Sequence, residues 1–266
     1  MRECLLKGAK RMKYDVMLCK IIRKKQLTAD IFDFTVDAGA LAQAAQPGQF
    51  AHIYAAGKTL RRPVSVCEID RAAATLRFVF QIRGEGTARL AALNPGDTMD
   101  ILAPLGRGFS IADTGCKAVF VGGGIGVPPL LEAAGSFGAD ATVIAGFRSK
   151  DAIILKEDFE RNGNRVIIAT DDGSFGHHGL VTDCLADLDC DVIFACGPTP
   201  MLKAVSKIAR QRNVPCQISL EERMACGVGA CLGCAVRLRR ETGEVYYGHV
   251  CKDGPVFDCR SVVWEE

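Results

Sequence analysis

The sequence has little net charge, no internal repeat and no long uninterrupted hydrophobic run. Its 266 residues include 33 Lys and Arg against 31 Asp and Glu. The resulting net charge of +2 gives no reason to expect nucleic acid or an anionic membrane as a partner. The longest apolar stretch, 118–131, is interrupted by four glycines and two prolines. A stretch so short and so broken does not cross a bilayer, so the sequence predicts no membrane span.

A secretory signal core is also missing, because the apolar residues near the N-terminus, 4–6, are too few to form one. The 13 cysteines are an odd number scattered through apolar segments, unlike the disulfide framework of a small secreted protein. We therefore expect reduced thiols and a cytoplasmic location. Either Met1 or Met12 fits as the first residue of the chain.

Four of the cysteines have a spacing typical of an iron–sulfur site. Cys226, Cys231 and Cys234 follow a C-x4-C-x2-C pattern, and Cys251 lies downstream. This is the plant-type spacing for a [2Fe–2S] cluster, in which four thiolates hold two irons. A structural zinc site is the main alternative, although zinc sites usually come as two short pairs of cysteines, and a disulfide framework is the other. The cysteines expected to be buried or idle thiols are Cys67, Cys116, Cys184, Cys190 and Cys259.

The pattern of apolar residues predicts a multi-domain chain with three parts. Short alternating segments separated by turns, such as 31–36 and 75–82, predict an antiparallel β-barrel over residues 13–111. Continuous apolar strands that alternate with helices predict an α/β domain with a parallel sheet over residues 112–215. The cysteine- and glycine-rich segment 216–266 is too small for a large core, so we expect a metal cluster to hold it together.

Three short motifs have the composition of ligand sites. The segment 121–130 (VGGGIGVPPL) leads a strand through glycines into a helix, which aims backbone N–H groups at a phosphate. The segment 196–201 (CGPTPM) follows another strand, at the sheet edge where open α/β folds bind ligands. In the barrel, the guanidinium of Arg62 suits a phosphate, and the hydroxyl of Ser65 suits a flavin ring nitrogen. The alternatives are tight packing for the glycines, a small buried residue for Cys196 and an ordinary basic turn at Arg62.

Taken together, these motifs resemble those of the ferredoxin–NAD(P)+ reductase superfamily. Within it, the chain is similar to the family of electron-transfer subunits of class 1B, NAD-dependent dihydroorotate dehydrogenases. The similarity extends from about Lys13 to the C-terminus. The stretches that carry it are RPVS at 62–65, GEGT at 84–87, PLG at 104–106, GGGIGVPP at 122–129, TDDGSFG at 170–176, CGP at 196–198, and 220–234 and 251–258 around the four cysteines.

The resemblance implies FAD held between the barrel and the sheet domain, NAD(H) as co-substrate and a [2Fe–2S] cluster on Cys226, Cys231, Cys234 and Cys251. The flavin contacts that it implies are Arg62, Pro63, Val64, Ser65, Val79, Phe80 and Gln81, with Gly86 and Thr87 in the pyrophosphate turn. The implied nicotinamide side consists of Gly123, Gly124, Gly126, Cys196, Gly197 and Pro198, with Ser65 and Cys196 as the catalytic residues. Val64 stands where many superfamily members have an aromatic residue, and Phe80-Gln81 where this family often has Tyr-Arg.

Two acidic residues bear on the choice of dinucleotide. Asp171 and Asp172 follow the predicted strand whose end lies near the adenine ribose in relatives that bind NADP. Two carboxylates repel a 2′-phosphate, so we expect NAD(H) rather than NADP(H). The alternative for this pair is a polar turn before Gly173.

The expected function is electron transfer among NAD(H), FAD and the cluster, because a flavin is needed between a two-electron hydride donor and a one-electron carrier. The resemblance implies a separate FMN-containing catalytic subunit that oxidises dihydroorotate to orotate in pyrimidine biosynthesis, with two copies of each subunit. The nearest alternative is the small subunit of a ferredoxin:NAD(P)+ transhydrogenase or a sulfide dehydrogenase. A non-enzymatic module with structural zinc and a free-standing diaphorase are further alternatives.

Overall fold

A computed structural model describes residues 14–264 of the chain. The choice between Met1 and Met12 as the first residue, and Lys13 at the start of the expected barrel domain, lie outside the described residues. Within 14–264, no helix combines the length and the apolar character that a membrane crossing requires.

The N-terminal domain is an antiparallel barrel of six strands, as the alternating pattern predicts. Its strands are β1 (Asp15–Gln26), β2 (Ile31–Asp37), β3 (Phe50–Ile53), β4 (Arg62–Asp70), β5 (Thr75–Gln81) and β6 (Thr98–Leu105), and its helices are α1 (Ala40–Ala44) and α2 (Glu85–Ala91). The strands neighbour one another in the order β1-β2-β5-β4-β3-β6, and β6 pairs with β1 to close the barrel. Closure removes the open strand edges that would otherwise need covering. Phe34 and Phe80 are buried in the barrel and stack with ring centroids 5.6 Å apart.

The second domain is a seven-stranded sheet with helices packed against it. The remaining strands of the described residues are β7 (Ala118–Gly123), β8 (Ala141–Phe147), β9 (Arg165–Thr170), β10 (His177–His178), β11 (Val192–Cys196), β12 (Cys216–Ser219), β13 (Ala235–Arg239), β14 (Val245–His249) and β15 (Val256–Asp258), and the helices are α3 (Leu131–Gly135), α4 (Lys156–Arg161), α5 (Val181–Ala186) and α6 (Thr199–Gln211). The order across the sheet is β10-β9-β8-β7-β11-β12-β15. All neighbours are parallel except β12 and β15. The rings of Phe120 and Phe194 stack in its core with centroids 4.7 Å apart.

The sheet extends past residue 215, where the sequence analysis ends the α/β domain. β12 and β15 both belong to the sheet, so the chain leaves it after Ser219 and returns at Val256. All four cysteines of the expected cluster, and the two-stranded hairpin β13–β14, lie in this excursion. The small module is therefore anchored to the α/β sheet at both of its ends.

A buried charge network connects the barrel to the α/β domain. Arg77 on β5 donates to both carboxylate oxygens of Asp33 on β2, each at 3.0 Å, and Asp33 is fully buried. Arg77 also donates to Glu68 on β4 at 2.9 Å and to Asp158 on α4 at 2.8 Å. One guanidinium therefore neutralises carboxylates from both domains, a geometry that suits its planar fork of donors.

Replacing Arg77 should destabilise the protein strongly. Arg77→Met leaves the Asp33 carboxylate buried without its principal cation, so we expect a loss of about 3–5 kcal/mol in the free energy of unfolding. Arg23→Met is the matched control, because Arg23 contacts the same carboxylate at 3.2 Å but is half exposed, and such pairs contribute about 0–1 kcal/mol. Urea unfolding of both variants provides the measurement. Equal small losses would show that the network does not hold the domains together.

Candidate functional site

Two adjoining cavities lie where the barrel meets the carboxyl ends of the sheet strands. The larger has a volume of about 660 Å³ and the smaller about 380 Å³. Four residues line both of them: Gln81, Arg83, Ile125 and Glu221. A ligand in one cavity would therefore lie against a ligand in the other. This is the location expected for a ligand site in an open α/β sheet.

The smaller cavity gathers the residues predicted to contact the flavin. Its lining includes Arg62, Pro63, Val64, Ser65, Val79, Phe80, Gln81 and Thr87. β4 and β5 supply most of them because the two strands are antiparallel neighbours in the barrel wall. The C-terminal module contributes Met224 and Pro255 to the lining. A guanidinium, two hydroxyls and an apolar wall suit a flavin with its phosphates.

Gly86, the remaining predicted flavin residue, shapes this cavity from behind Arg62. A Cβ atom at Gly86 would collide with the guanidinium of Arg62, so only glycine leaves that side chain in place. The hydroxyl of Thr87 accepts hydrogen bonds from the N–H groups of Arg83 and Gly84 at 2.8 and 3.2 Å. The start of α2 is thereby fixed beside the cavity.

The larger cavity gathers the predicted nicotinamide residues at the ends of β7 and β11. Gly123, Gly124, Gly126, Gly197 and Pro198 line it, and Asp171 lines it from the end of β9. The chain after β7 forms two 3-10 turns, Gly124–Gly126 and Pro128–Leu130, before the short helix α3. The expected helix is broken because Pro128 and Pro129 supply no N–H donors.

Cys196 lies next to this cavity without lining it. Its side chain is buried, its carbonyl oxygen approaches Gly126, and burial raises the pKa of its thiol, with the hydroxyl of Ser219 as its hydrogen-bond partner. Cys196 and Ser219 are direct neighbours across β11 and β12. The backbone carbonyl of Cys196 and the Cα atom of Gly197 lie against Gly126. The position of the segment 196–198 therefore depends on glycine at residues 126 and 197.

Sequence reasoning did not single out Arg83 or Glu221, which line both cavities. Desolvation at the cavity wall raises the pKa of the Glu221 carboxyl group, and the nearby charge of Arg83 opposes that shift. Arg83 directly precedes the GEGT motif, and Glu221 lies inside the quoted stretch 220–234. Those motifs were the signal available in the sequence, but only the folded chain brings the two side chains to the wall that both cavities share.

The four cysteines of the C-terminal loop lie as two pairs. The thiols of Cys226 and Cys231 are within hydrogen-bonding reach of each other, and so are those of Cys234 and Cys251. Cys234 and Cys251 are buried, whereas Cys231 is exposed. Within residues 14–264, no group of three or more His, Cys, Asp or Glu side chains converges on one point as ligands of a single metal ion do. Two pairs of thiols match the need of a two-iron cluster for two cysteines on each iron.

Backbone amides of the same loop point at the sulfur atoms. Val228 and Ala230 donate to the Cys226 sulfur at 3.5 and 3.2 Å, and Gly229 donates to the Cys251 sulfur at 3.1 Å. Burial disfavours the Cys226 thiolate, but these amides and that of Cys231 outweigh it and lower its pKa to about 6. Gly227 and Gly229 have φ values of +72° and +83°, which turn the amides inward and which glycine adopts without strain. The loop amides therefore stabilise negative charge on the Cys226 sulfur, whereas burial raises the pKa of the Cys251 thiol to about 12 although Gly229 donates to it.

Comparison with known proteins gives the same organisation. Residues 221–263 match the family described as the iron–sulfur cluster binding domain of dihydroorotate dehydrogenase B. The chain is 42% identical over 253 residues to the "Dihydroorotate dehydrogenase B (NAD(+)), electron transfer subunit" of Geobacillus thermodenitrificans, covering 91% of this chain and 96% of the relative. It is 40% identical over 252 residues to the Streptococcus mutans protein of that name, with the same coverage.

Solved structures show the same fold. A structure of an NADH-dependent reduced ferredoxin-NADP oxidoreductase, reported for flavin-based electron bifurcation, superposes with a TM-score of 0.81 at 30% identity. The match covers 93% of this chain and 90% of that one. A ferredoxin reductase of carbazole 1,9a-dioxygenase superposes with a TM-score of 0.65 at 21% identity, covering 76% of this chain and 67% of that one. The barrel and sheet domains thus have the ferredoxin reductase fold.

A methyl group at Gly126 should disrupt the larger cavity. In Gly126→Ala the Cβ atom would collide with the Cys196 carbonyl and lie 2.6 Å from the Gly197 Cα atom, forcing the two turns apart. We expect NADH to bind at least about 10-fold more weakly, a loss of roughly 1.4 kcal/mol, measured by titration calorimetry. Gly115→Ala is the control, because its nearest contact would be an ordinary 3.4 Å to Asp113. An unchanged NADH affinity in Gly126→Ala would contradict the assignment of the dinucleotide to this cavity.

Proposed function

Because the chain belongs to the family of dihydroorotate dehydrogenase B (NAD(+)) electron transfer subunits, we propose that it moves electrons between NAD(H) in the larger cavity, FAD in the smaller cavity and a [2Fe–2S] cluster on its four cysteines. One observation carries this arrangement. The smaller cavity shares wall residues with the larger one and is also lined by Met224 and Pro255, which flank the cysteine loop. The smaller cavity therefore borders the larger cavity and the segments that flank the cysteine loop, which supports this order of carriers.

When bound, FAD would supply hydride chemistry towards the nicotinamide, and the cluster would supply single-electron exchange. The chain's residues bind and orient these groups. Arg62 and Thr87 hold the flavin phosphates, Ser65 lies on β4 beside the ring, and the glycine turns let the dinucleotide approach the backbone. Cys196 acts by fixing Gly197 and Pro198 against Gly126.

NAD(H) is the proposed dinucleotide because of the charge at the end of β9. Asp171 lines the larger cavity. The Asp172 carboxylate accepts hydrogen bonds from the N–H and hydroxyl groups of Ser174, which lower its pKa and keep it ionised. Two negative charges at this turn repel a 2′-phosphate. Arg148 also lines the cavity, and we assign it to the pyrophosphate.

Electrons leave at the exposed edge of the cysteine loop. Cys231 is the exposed member of the four, and its neighbour Leu232 is 63% exposed. An exposed leucine beside an exposed metal ligand fits an interface with another protein. The proposed partner is an FMN-containing catalytic subunit that oxidises dihydroorotate to orotate, with two copies of each subunit, in the cytoplasm. Identities of 40–42% to named dihydroorotate dehydrogenase relatives, against 30% to the ferredoxin-NADP oxidoreductase, favour this partner over a transhydrogenase.

Removing one cluster ligand should separate the two halves of the electron path. Cys231→Ser should abolish the visible and EPR signals of the cluster while NADH still reduces FAD, because Cys231 lines neither cavity. Electron delivery to the catalytic subunit should fall to background. Cys116→Ser is the control, since Cys116 is a half-buried thiol outside the loop. Full electron delivery to the catalytic subunit by Cys231→Ser would contradict the assignment of the cluster to these cysteines.

An acidic residue at the exposed leucine should weaken the proposed complex. Leu232→Asp buries a charge at the interface, so we expect at least about 10-fold weaker binding of the catalytic subunit. Leu18→Asp on β1 is the matched control, because Leu18 is 72% exposed on the barrel. The measurement is anaerobic co-purification from native cells, with the captured protein assayed for NAD+-dependent dihydroorotate oxidation. Capture of a subunit with further iron–sulfur clusters and no such activity would favour the transhydrogenase alternative.

A further inference from the structure

A buried histidine connects the flavin-binding barrel to the cysteine loop. His52 lies on β3, its side chain is fully buried, and within residues 14–264 neither ring nitrogen has a hydrogen-bond partner. Burial, followed by the charge of Arg61, lowers the pKa of His52 to about 4. A buried polar ring without a partner costs stability, which calls for a role beyond packing.

The surroundings of His52 come from two parts of the chain. On one side, β3 pairs with β4 so that His52 lies opposite Pro63, in the strand that lines the smaller cavity. On the other side, a Cβ atom at Gly227 would lie 2.6 Å from Nδ1 of the ring. The backbone of Cys226 faces the imidazole and favours its protonated form, without reaching hydrogen-bond geometry. The ring thus separates the flavin strand from the residue that follows the first cysteine.

We propose that His52 is a positioning residue that docks the Cys226 loop onto the flavin-binding strand and so sets both the reduction potential of the cluster and its distance from the flavin. The proposal rests on the proposed function, because it needs a cluster at these cysteines. The contact is made at the Nδ1 edge of the imidazole, which lies against the backbone of Gly227.

The route from His52 to the potential runs through the amides of the loop. The Cys226 sulfur accepts from Val228 and Ala230, and both donors follow the glycine that contacts the ring. Hydrogen bonds to cluster sulfurs stabilise the more negative, reduced cluster and raise its potential. If the imidazole is removed, the loop shifts towards the vacated space, and the hydrogen bonds from Val228 and Ala230 to the Cys226 sulfur lengthen. The potential should then fall, and transfer from the flavin should slow.

The test compares an apolar and a polar replacement in the holoprotein. His52→Leu should lower the cluster midpoint potential in an EPR-monitored redox titration, alter the EPR g values and slow electron transfer from FAD to the cluster about 10-fold or more. His52→Asn, which retains a donor and an acceptor, should restore part of each change. FAD content and the rate of FAD reduction by NADH should stay at wild-type values. Met99→Ala, which removes a buried side chain elsewhere in the barrel, controls for lost stability.

A second pair of variants tests the contact from the loop side, which covers the case in which His52→Leu does not fold. Gly227→Ala places a methyl group against the imidazole at a φ of +72°, whereas Gly243→Ala meets nothing within 4 Å at a φ of +89°. Both impose left-handed strain, but only Gly227→Ala should shift the potential and the EPR signal.

The outcomes separate this inference from the proposed function. Wild-type protein that holds FAD but shows no cluster signal would overturn both. A wild-type cluster whose potential and g values are unchanged in His52→Leu, or in Gly227→Ala where His52→Leu does not fold, would overturn the role of His52 alone. Equal shifts in Met99→Ala and His52→Leu would also overturn it, because general loosening of the barrel would then be the cause.

Discussion

The contact between the barrel and the carboxyl edge of the sheet is the constraint on which the other features depend. Electrons pass only between carriers held close together, so the flavin cavity has to border both the dinucleotide cavity and the cysteine loop. Arg77 holds the barrel to α4 through Asp158 while neutralising the buried Asp33. Gln81, at the end of the same strand, reaches the wall shared by the two cavities. The strand that anchors the domains thus also positions their common boundary.

Much of the fold and of the site follows from local patterns in the sequence. Alternating and continuous apolar segments predict the barrel and the parallel strands, because each pattern reflects how many faces of a strand are buried. The glycine motifs are predictive for a similar reason: Gly86 and Gly126 lie where a Cβ atom would collide with Arg62 or with the Cys196 backbone. Cysteine spacing predicts the cluster loop because three of its ligands come from one short segment.

Features that depend on distant parts of the chain were not predictable in this way. The short strand β15 has no pattern that identifies it as an edge strand of a sheet whose other members end 37 residues earlier, at Ser219. Glu221 reaches the wall shared by the two cavities only where the end of β12 meets Gln81 and Arg83 of the barrel. His52 is one polar residue in an otherwise apolar strand, and its meaning appears only where Gly227 packs on its ring. Such residues are identified by their partners rather than by their neighbours in sequence.

The C-terminal module illustrates why the cluster site and the sheet are inseparable. Cys234, Leu238, Val250 and Cys251 are buried in the same hydrophobic cluster as the sheet residues Val119 and Ile218. The module therefore shares its core with the sheet, and its order comes from that shared core, from β12 and β15 at its two ends, and from the amides that converge on its sulfurs. Met224 and Pro255, which flank the cysteine loop, also line the flavin cavity, so the module joins the loop directly to the flavin site. Holding the two sites at a fixed separation accounts for a module that is built into the sheet instead of attached by a linker.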